Sequence, residues 1–122
     1  MKIRTFEDLE VYQLSIQLTK KIYQLSEKFP SKERFNITDQ LIRASSSIGA
    51  NIAEGFGRDT TKEFIKFLYN ARGSLMEVRH FLNLSRELGY KFDSDNLFQT
   101  INILGIKINN LIKALKKNNG SR

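Results

Sequence analysis

From Leu97 to Leu115 a leucine or isoleucine falls at every third or fourth position: Leu97, Ile101, Leu104, Ile108, Leu111 and Leu115. That spacing follows the 3.6-residue turn of an α-helix and sets all six side chains on one side of it. Such a stripe has to be buried against another element. The rest of the chain supplies partners of the same kind. Phe64, Leu68, Ala71, Leu75, Val78 and Leu82 form a second stripe, and Leu41, Ser45, Ile48 and Ile52 a third. Leu9, Tyr12, Ile16, Thr19 and Tyr23 form a fourth, in a segment whose Val11, Leu14, Leu18 and Leu25 make a rival stripe on another side.

The punctuation agrees with four helices. Thr5 with Asp8 resembles a capping box in which Asp replaces the usual Glu, and the first segment runs from about residue 7 to 28, before Pro30. The second spans about 38 to 55, ending at Gly55 and Gly57. The third opens on Thr60-Thr61-Lys62-Glu63, a capping box at the usual spacing, and stops at Gly89; the fourth begins after Asp93 or Ser94. No segment alternates with period two. The expectation is all-α: a single domain over residues 1–122, folded as an antiparallel up-down four-helix bundle.

Composition narrows the function. With no cysteine, disulfides, thiolate metal sites and cysteine nucleophiles are excluded. The charged opening MKIRTFEDLE lacks the apolar core of a signal peptide, and no apolar run reaches membrane-spanning length, so a cytoplasmic protein without a membrane role is expected. The formal charge is +7, and residues 91–122 hold six basic against two acidic residues. That balance favours polyanionic partners and says nothing about fold.

The stretch SSSIGANIAEGFGR, Ser45 to Arg58, admits three readings. A phosphate loop needs a preceding strand and a Gly-Lys-Ser/Thr ending, and a nucleophilic serine needs a base and an oxyanion element. Neither set is present, His80 being the one histidine. What fits is a helix stripped of side-chain bulk, where Gly49 lets a neighbouring backbone approach. Beside it Gln40, Arg43, Ser47, Asn51, Glu54 and Arg58 form a polar stripe. It is either a solvated face with a Glu54–Arg58 pair or a network between helices or subunits, with Asn51 fixing register.

The same residues carry a resemblance. FEDLEVYQLS at 6–15, QLIRASSSIGANIAEGFGR at 40–58, EFIKFLYNARGSLMEV at 63–78 and LSRELGY at 84–90 resemble a bacterial four-helix-bundle family. That family was first noticed as proteins encoded by intervening sequences inside large-subunit rRNA genes, and it also goes by the misnomer ribosomal protein S23. Tyr12 stands where the family often has tryptophan. The resemblance implies an up-down bundle assembled as a homopentamer, no enzymatic activity and no cofactor. It also implies kinship with the accessory variability proteins of retroelements, which are basic barrels that bind nucleic acid and a reverse transcriptase.

Two basic clusters could meet a partner. Arg72, Arg79 and Arg86 lie one heptad apart, and Lys107, Lys113, Lys116 and Lys117 crowd the end of the fourth segment. Edge arginines commonly pair with a neighbour's glutamate, and terminal lysines suit the helix dipole. The arginines are therefore expected in ion pairs, leaving the lysines as the stronger phosphate contacts. Periodicity does not say which stripe of the first segment faces inward, but a bundle buries one stripe per helix, so the surplus needs a partner surface, and Val11, Leu14, Leu18 and Leu25, with Ile103 and Ile106, are expected at an oligomer interface. The leading expectation is a homo-oligomer that binds RNA or an RNA–DNA hybrid beside another enzyme. The alternative is a scaffold that meets an acidic protein partner.

Overall fold

The structure, a computed structural model, describes residues 2–118. Four helices follow one another: α1 Glu10–Ser26, α2 Ile37–Phe56, α3 Thr61–Glu87 and α4 Ser94–Asn118. Short 3-10 turns at Phe6–Asp8 and Ser31–Glu33 precede α1 and α2. Each helix packs on its successor and α1 closes against α4, which makes an antiparallel four-helix bundle. No helix is long and apolar enough to cross a membrane among the described residues.

The ends follow capping chemistry. The Asp8 carboxylate accepts the Arg4 and Thr5 N–H groups at 2.9 and 3.1 Å, so this cap serves the 3-10 turn rather than α1 itself. Those same two donors hold its pKa below the ordinary carboxylate value. Thr60 Oγ1 accepts the Glu63 N–H at 3.1 Å and opens α3. Gly89, at φ +89, closes α3 in the left-handed region. Tyr90 N–H then reaches back to Ser85 O, and Gly89 N–H to Arg86 O, which is a Schellman ending.

Three of the four predicted stripes face the core. Phe64, Leu68, Ala71, Leu75, Val78 and Leu82 are all buried, as are Leu41, Ser45, Ile48 and Ile52, and Leu97, Ile101, Leu104 and Ile108. In α4 the inward path then shifts to Ile112, leaving Leu111 and Leu115 half-buried.

Helix α1 corrects the sequence-based expectation. Val11, Leu18 and Leu25, expected at an oligomer interface, are 4%, 0% and 6% exposed inside this subunit's own core. Leu14 is half-buried against it. Ile16 and Tyr23 are the ones left outside, at 48% and 51% exposure. The cause lies across the helix pair. A Cβ on Gly49 would stand 2.9 Å from Ser15 Oγ, so α1 meets α2 through its smallest inward residue. The stripe that runs through Ser15 is Val11, Leu18, Ile22 and Leu25, and close approach turns that one inward.

Gly55 also has a different role from the one expected. It lies inside α2 rather than ending it, and its missing Cβ would sit 2.5 Å from Phe67 Cβ and 3.0 Å from Phe64 Cδ1. Gly57 is the C-cap. The small residues of Ser45–Arg58 thus serve two close contacts, one towards α1 and one towards α3.

Candidate nucleic-acid interface

Helices α3 and α4 run antiparallel in a register that two exposed hydrogen bonds mark. Arg72 Nη1 donates to Asn109 Oδ1 at 2.9 Å, and one heptad along Arg79 Nη1 donates to Asn102 Oδ1 at 3.4 Å. A further heptad on, the Arg86 guanidinium lies 5.4 Å from the Phe98 ring centroid. At the other end Tyr69 gathers two cations: Arg72 lies 4.6 Å and Lys116 5.2 Å from its ring centroid. Lys116 Nζ also donates to the Tyr69 hydroxyl at 2.6 Å. The two clusters that looked separate in the sequence therefore meet at Tyr69.

The expectation that these arginines are ion-paired is not met. Among the described residues the ion pairs are Arg43–Asp39, Arg58–Glu54 and Lys107–Glu10, and none involves Arg72, Arg79, Arg86 or Lys116. The reason is the residue type across the seam. Asn102 and Asn109 supply carbonyl oxygens that orient a guanidinium without cancelling its charge, and most of its five N–H donors stay available. A heptad is roughly 10.5 Å of helix, close to the Debye length at physiological salt, so mutual repulsion along the row is largely screened. The row keeps its charge.

The lysines divide. Lys107 is tied to Glu10 at 3.1 Å, which neutralises it. Lys113 and Lys117 are exposed on the last turns of α4. The Tyr69 phenol has a pKa below its ordinary value, first because Lys116 donates to it and also because the Lys116 and Arg72 charges favour the phenolate.

Met76 lies between Arg72 and Arg79 on α3, and Ile106 between Asn102 and Asn109 on α4. Both are open, at 45% and 60% exposure, and Ile103 on α4 is 42% exposed. Nothing in the sequence alone singled out Tyr69, Phe98 or Met76. Asn102 and Asn109 did carry a signal, since they repeat the heptad of Arg72 and Arg79 on the facing helix.

The polar stripe of α2 belongs partly to the fold. Ser47 Oγ and Ser74 Oγ are 2.9 Å apart, linking α2 to α3. Asn51 Nδ2 donates to Ser47 O and Oγ at 2.9 and 3.0 Å. Arg43 instead pairs with Asp39 on its own helix, Arg58, just past the Gly57 cap, pairs with Glu54 and lies 4.9 Å from the Phe67 ring centroid of α3, and Gln40 is exposed. The stripe is neither wholly solvated nor wholly a network.

A basic, antiparallel four-helix bundle with an arginine row along one seam is the class these features define. The family model described as 23S rRNA-intervening sequence protein matches residues 7–115, and the chain belongs to that family. A solved structure similar in fold is a protein with unknown function from the S23 ribosomal protein family of Bacteroides thetaiotaomicron. It superposes with a TM-score of 0.77 at 23% identity, over 84% of this chain and 95% of that one. No curated protein matches the chain. The structural likeness speaks for the fold alone.

Proposed function

We propose that the chain is a non-enzymatic homo-oligomer that binds nucleic acid, RNA or an RNA–DNA hybrid, by charge and shape, as an accessory factor beside another enzyme. The observation that carries the reading is the row of Arg72, Arg79, Arg86 and Lys116, each oriented by an asparagine, a phenol or an aromatic ring and none neutralised. Heptad-spaced cations on a rigid helix pair suit a phosphate backbone and read no bases. Assembly is supported by the apolar side chains left open on α1 and α4, Ile16, Tyr23 and Ile103. In a ring, the family resemblance implying five subunits, each row repeats and becomes a belt.

Fluorescence polarisation with duplex RNA, duplex DNA and a hybrid, from low to physiological salt, tests this. Affinity falls steeply with salt, by a log–log slope of about −0.9 per neutralised phosphate on a B-DNA duplex. Reversing Arg72, Arg79 and Arg86 to Glu flattens the slope for every sequence alike. Absence of binding to all three at low salt overturns the reading. A second reading, a scaffold for an acidic protein, is favoured by the exposed Met76 and Ile106 beside the arginines, because apolar side chains with arginine are enriched in protein interfaces.

A further inference from the structure

A cleft of about 320 Å³ opens between the C-terminal half of α1 and the start of α4, walled by Leu25, Phe92 and Leu97. Lys21, Lys28 and Lys91 also line it. Lys21 is fixed in place: its Nζ donates to Asn96 Oδ1 at 2.9 Å and to Thr100 Oγ1 at 3.1 Å. Both acceptors are neutral, so this half-buried ammonium keeps its full charge and a third donor. Lys28 and Lys91 take part in no ion pair among the described residues. The acid at the rim, Asp93, is engaged in capping α4, where its Oδ1 accepts the Asn96 N–H at 3.3 Å. Three lysines against that one carboxylate leave the cleft two positive charges in excess.

We propose that this cleft binds a phosphate monoester carried on a flat or apolar body of nucleotide size, either a free nucleotide or the 5′-phosphorylated end of a strand. A monoester carries about −1.5 to −2 near neutral pH, which balances that excess. Lysine engages phosphate as a point charge from several directions, as three ammonium groups around one cleft require. Phe92 and the two leucines take the body of the ligand out of water. The volume lies at the lower end of the roughly 300–1,000 Å³ range of small-molecule sites. None of Arg72, Arg79, Arg86 or Lys116 lines the cleft, so this site goes beyond the seam and does not depend on it.

Backbone amide NMR of the whole chain, titrated with adenosine 5′-monophosphate, adenosine and inorganic phosphate separately, tests the proposal. The monophosphate is expected to shift amides of residues 21–28 and 91–97 and to bind at least about tenfold more tightly than either fragment. Lys28→Gln with Lys91→Gln weakens it about tenfold or more without moving the melting temperature, since both side chains are exposed. Arg72→Gln leaves it unchanged. Single-stranded oligonucleotides with a 5′-phosphate or a 5′-hydroxyl separate the two sources: shifts confined to the phosphorylated strand point to a strand end, and shifts with the mononucleotide alone to a free nucleotide. No shift at these residues in millimolar monophosphate overturns the proposal. So does equal affinity for inorganic phosphate, or equal loss in Arg72→Gln. Loss of duplex binding with the mononucleotide site intact removes the seam reading and leaves this one standing.

Discussion

Lys116 on the last turns of α4 donates to the phenol of Tyr69 on α3, at 2.6 Å, while Arg72 lies 4.6 Å from the centroid of the same ring. Tyr69 therefore ionises below the ordinary tyrosine value, and Tyr90, which donates to the buried Glu33 carboxylate, ionises above it. The signs oppose. The Glu33–Tyr90 contribution to stability is fully present below the unfolded value of 10.0 and is lost as pH rises through the higher folded value. For Tyr69 the contribution appears as pH rises past its lowered value. Ring-carbon NMR titration of the four tyrosines resolves both, and Lys116→Met returns Tyr69 towards 10.0 while leaving Tyr90 in place.

Three glycines separate packing from propensity. Gly49→Leu and Gly55→Ala push side-chain atoms into Ser15 and Phe67, and each is expected to cost about 1–3 kcal/mol in denaturant unfolding. Gly73 lies in the middle of α3, where an added Cβ would meet nothing within 4 Å. Its change to Ala is expected to stabilise the fold by about 1 kcal/mol. A stabilised Gly49→Leu would show that α1 and α2 are not in close contact there.

Assembly is read by light scattering, which is expected to give a mass several times 14.2 kDa. Ile16→Glu with Ile103→Glu lowers that mass and leaves the helical circular dichroism intact, because both side chains are exposed. Leu18→Glu is the contrasting case. Its site is fully buried, so an unpaired carboxylate there unfolds the subunit instead of parting it from a neighbour.

Neutralising the arginine row is expected to weaken duplex RNA binding more than neutralising Lys107, Lys113 and Lys117. Lys107 is already paired with Glu10, whereas Arg72, Arg79 and Arg86 have no acidic partner among the described residues. Arg→Gln at the three positions flattens the salt dependence, and Lys107→Gln alone barely moves it. The reverse order would return the site to the α4 lysines.

The fold was written plainly in the chain because the leucine–isoleucine stripes of α2, α3 and α4 have no competitor of equal quality. Helix α1 has two competing stripes, and periodicity weighs both alike. What decides between them is a contact 34 residues away in sequence, Ser15 against Gly49. The seam was half legible. A heptad of arginines says that they share an edge, but whether the facing residue is Glu or Asn depends on the register of α4, which only the packed pair reveals. Tyr69 and Lys116, 47 residues apart, share no local pattern at all.

Most of this bundle's packing joins helices that are neighbours along the chain, a topology of low contact order that favours quick folding. The Tyr90–Glu33 bond is an exception, spanning 57 residues and bridging the α1–α2 connection to the α3–α4 connection. The Schellman ending at Gly89 aims Tyr90 at that carboxylate, and Phe29 packs against its ring at 5.2 Å. One hairpin must therefore dock on the other before this tyrosine leaves water. The Tyr90–Glu33 bond and the partial burial of that ring therefore report that the two hairpins have met.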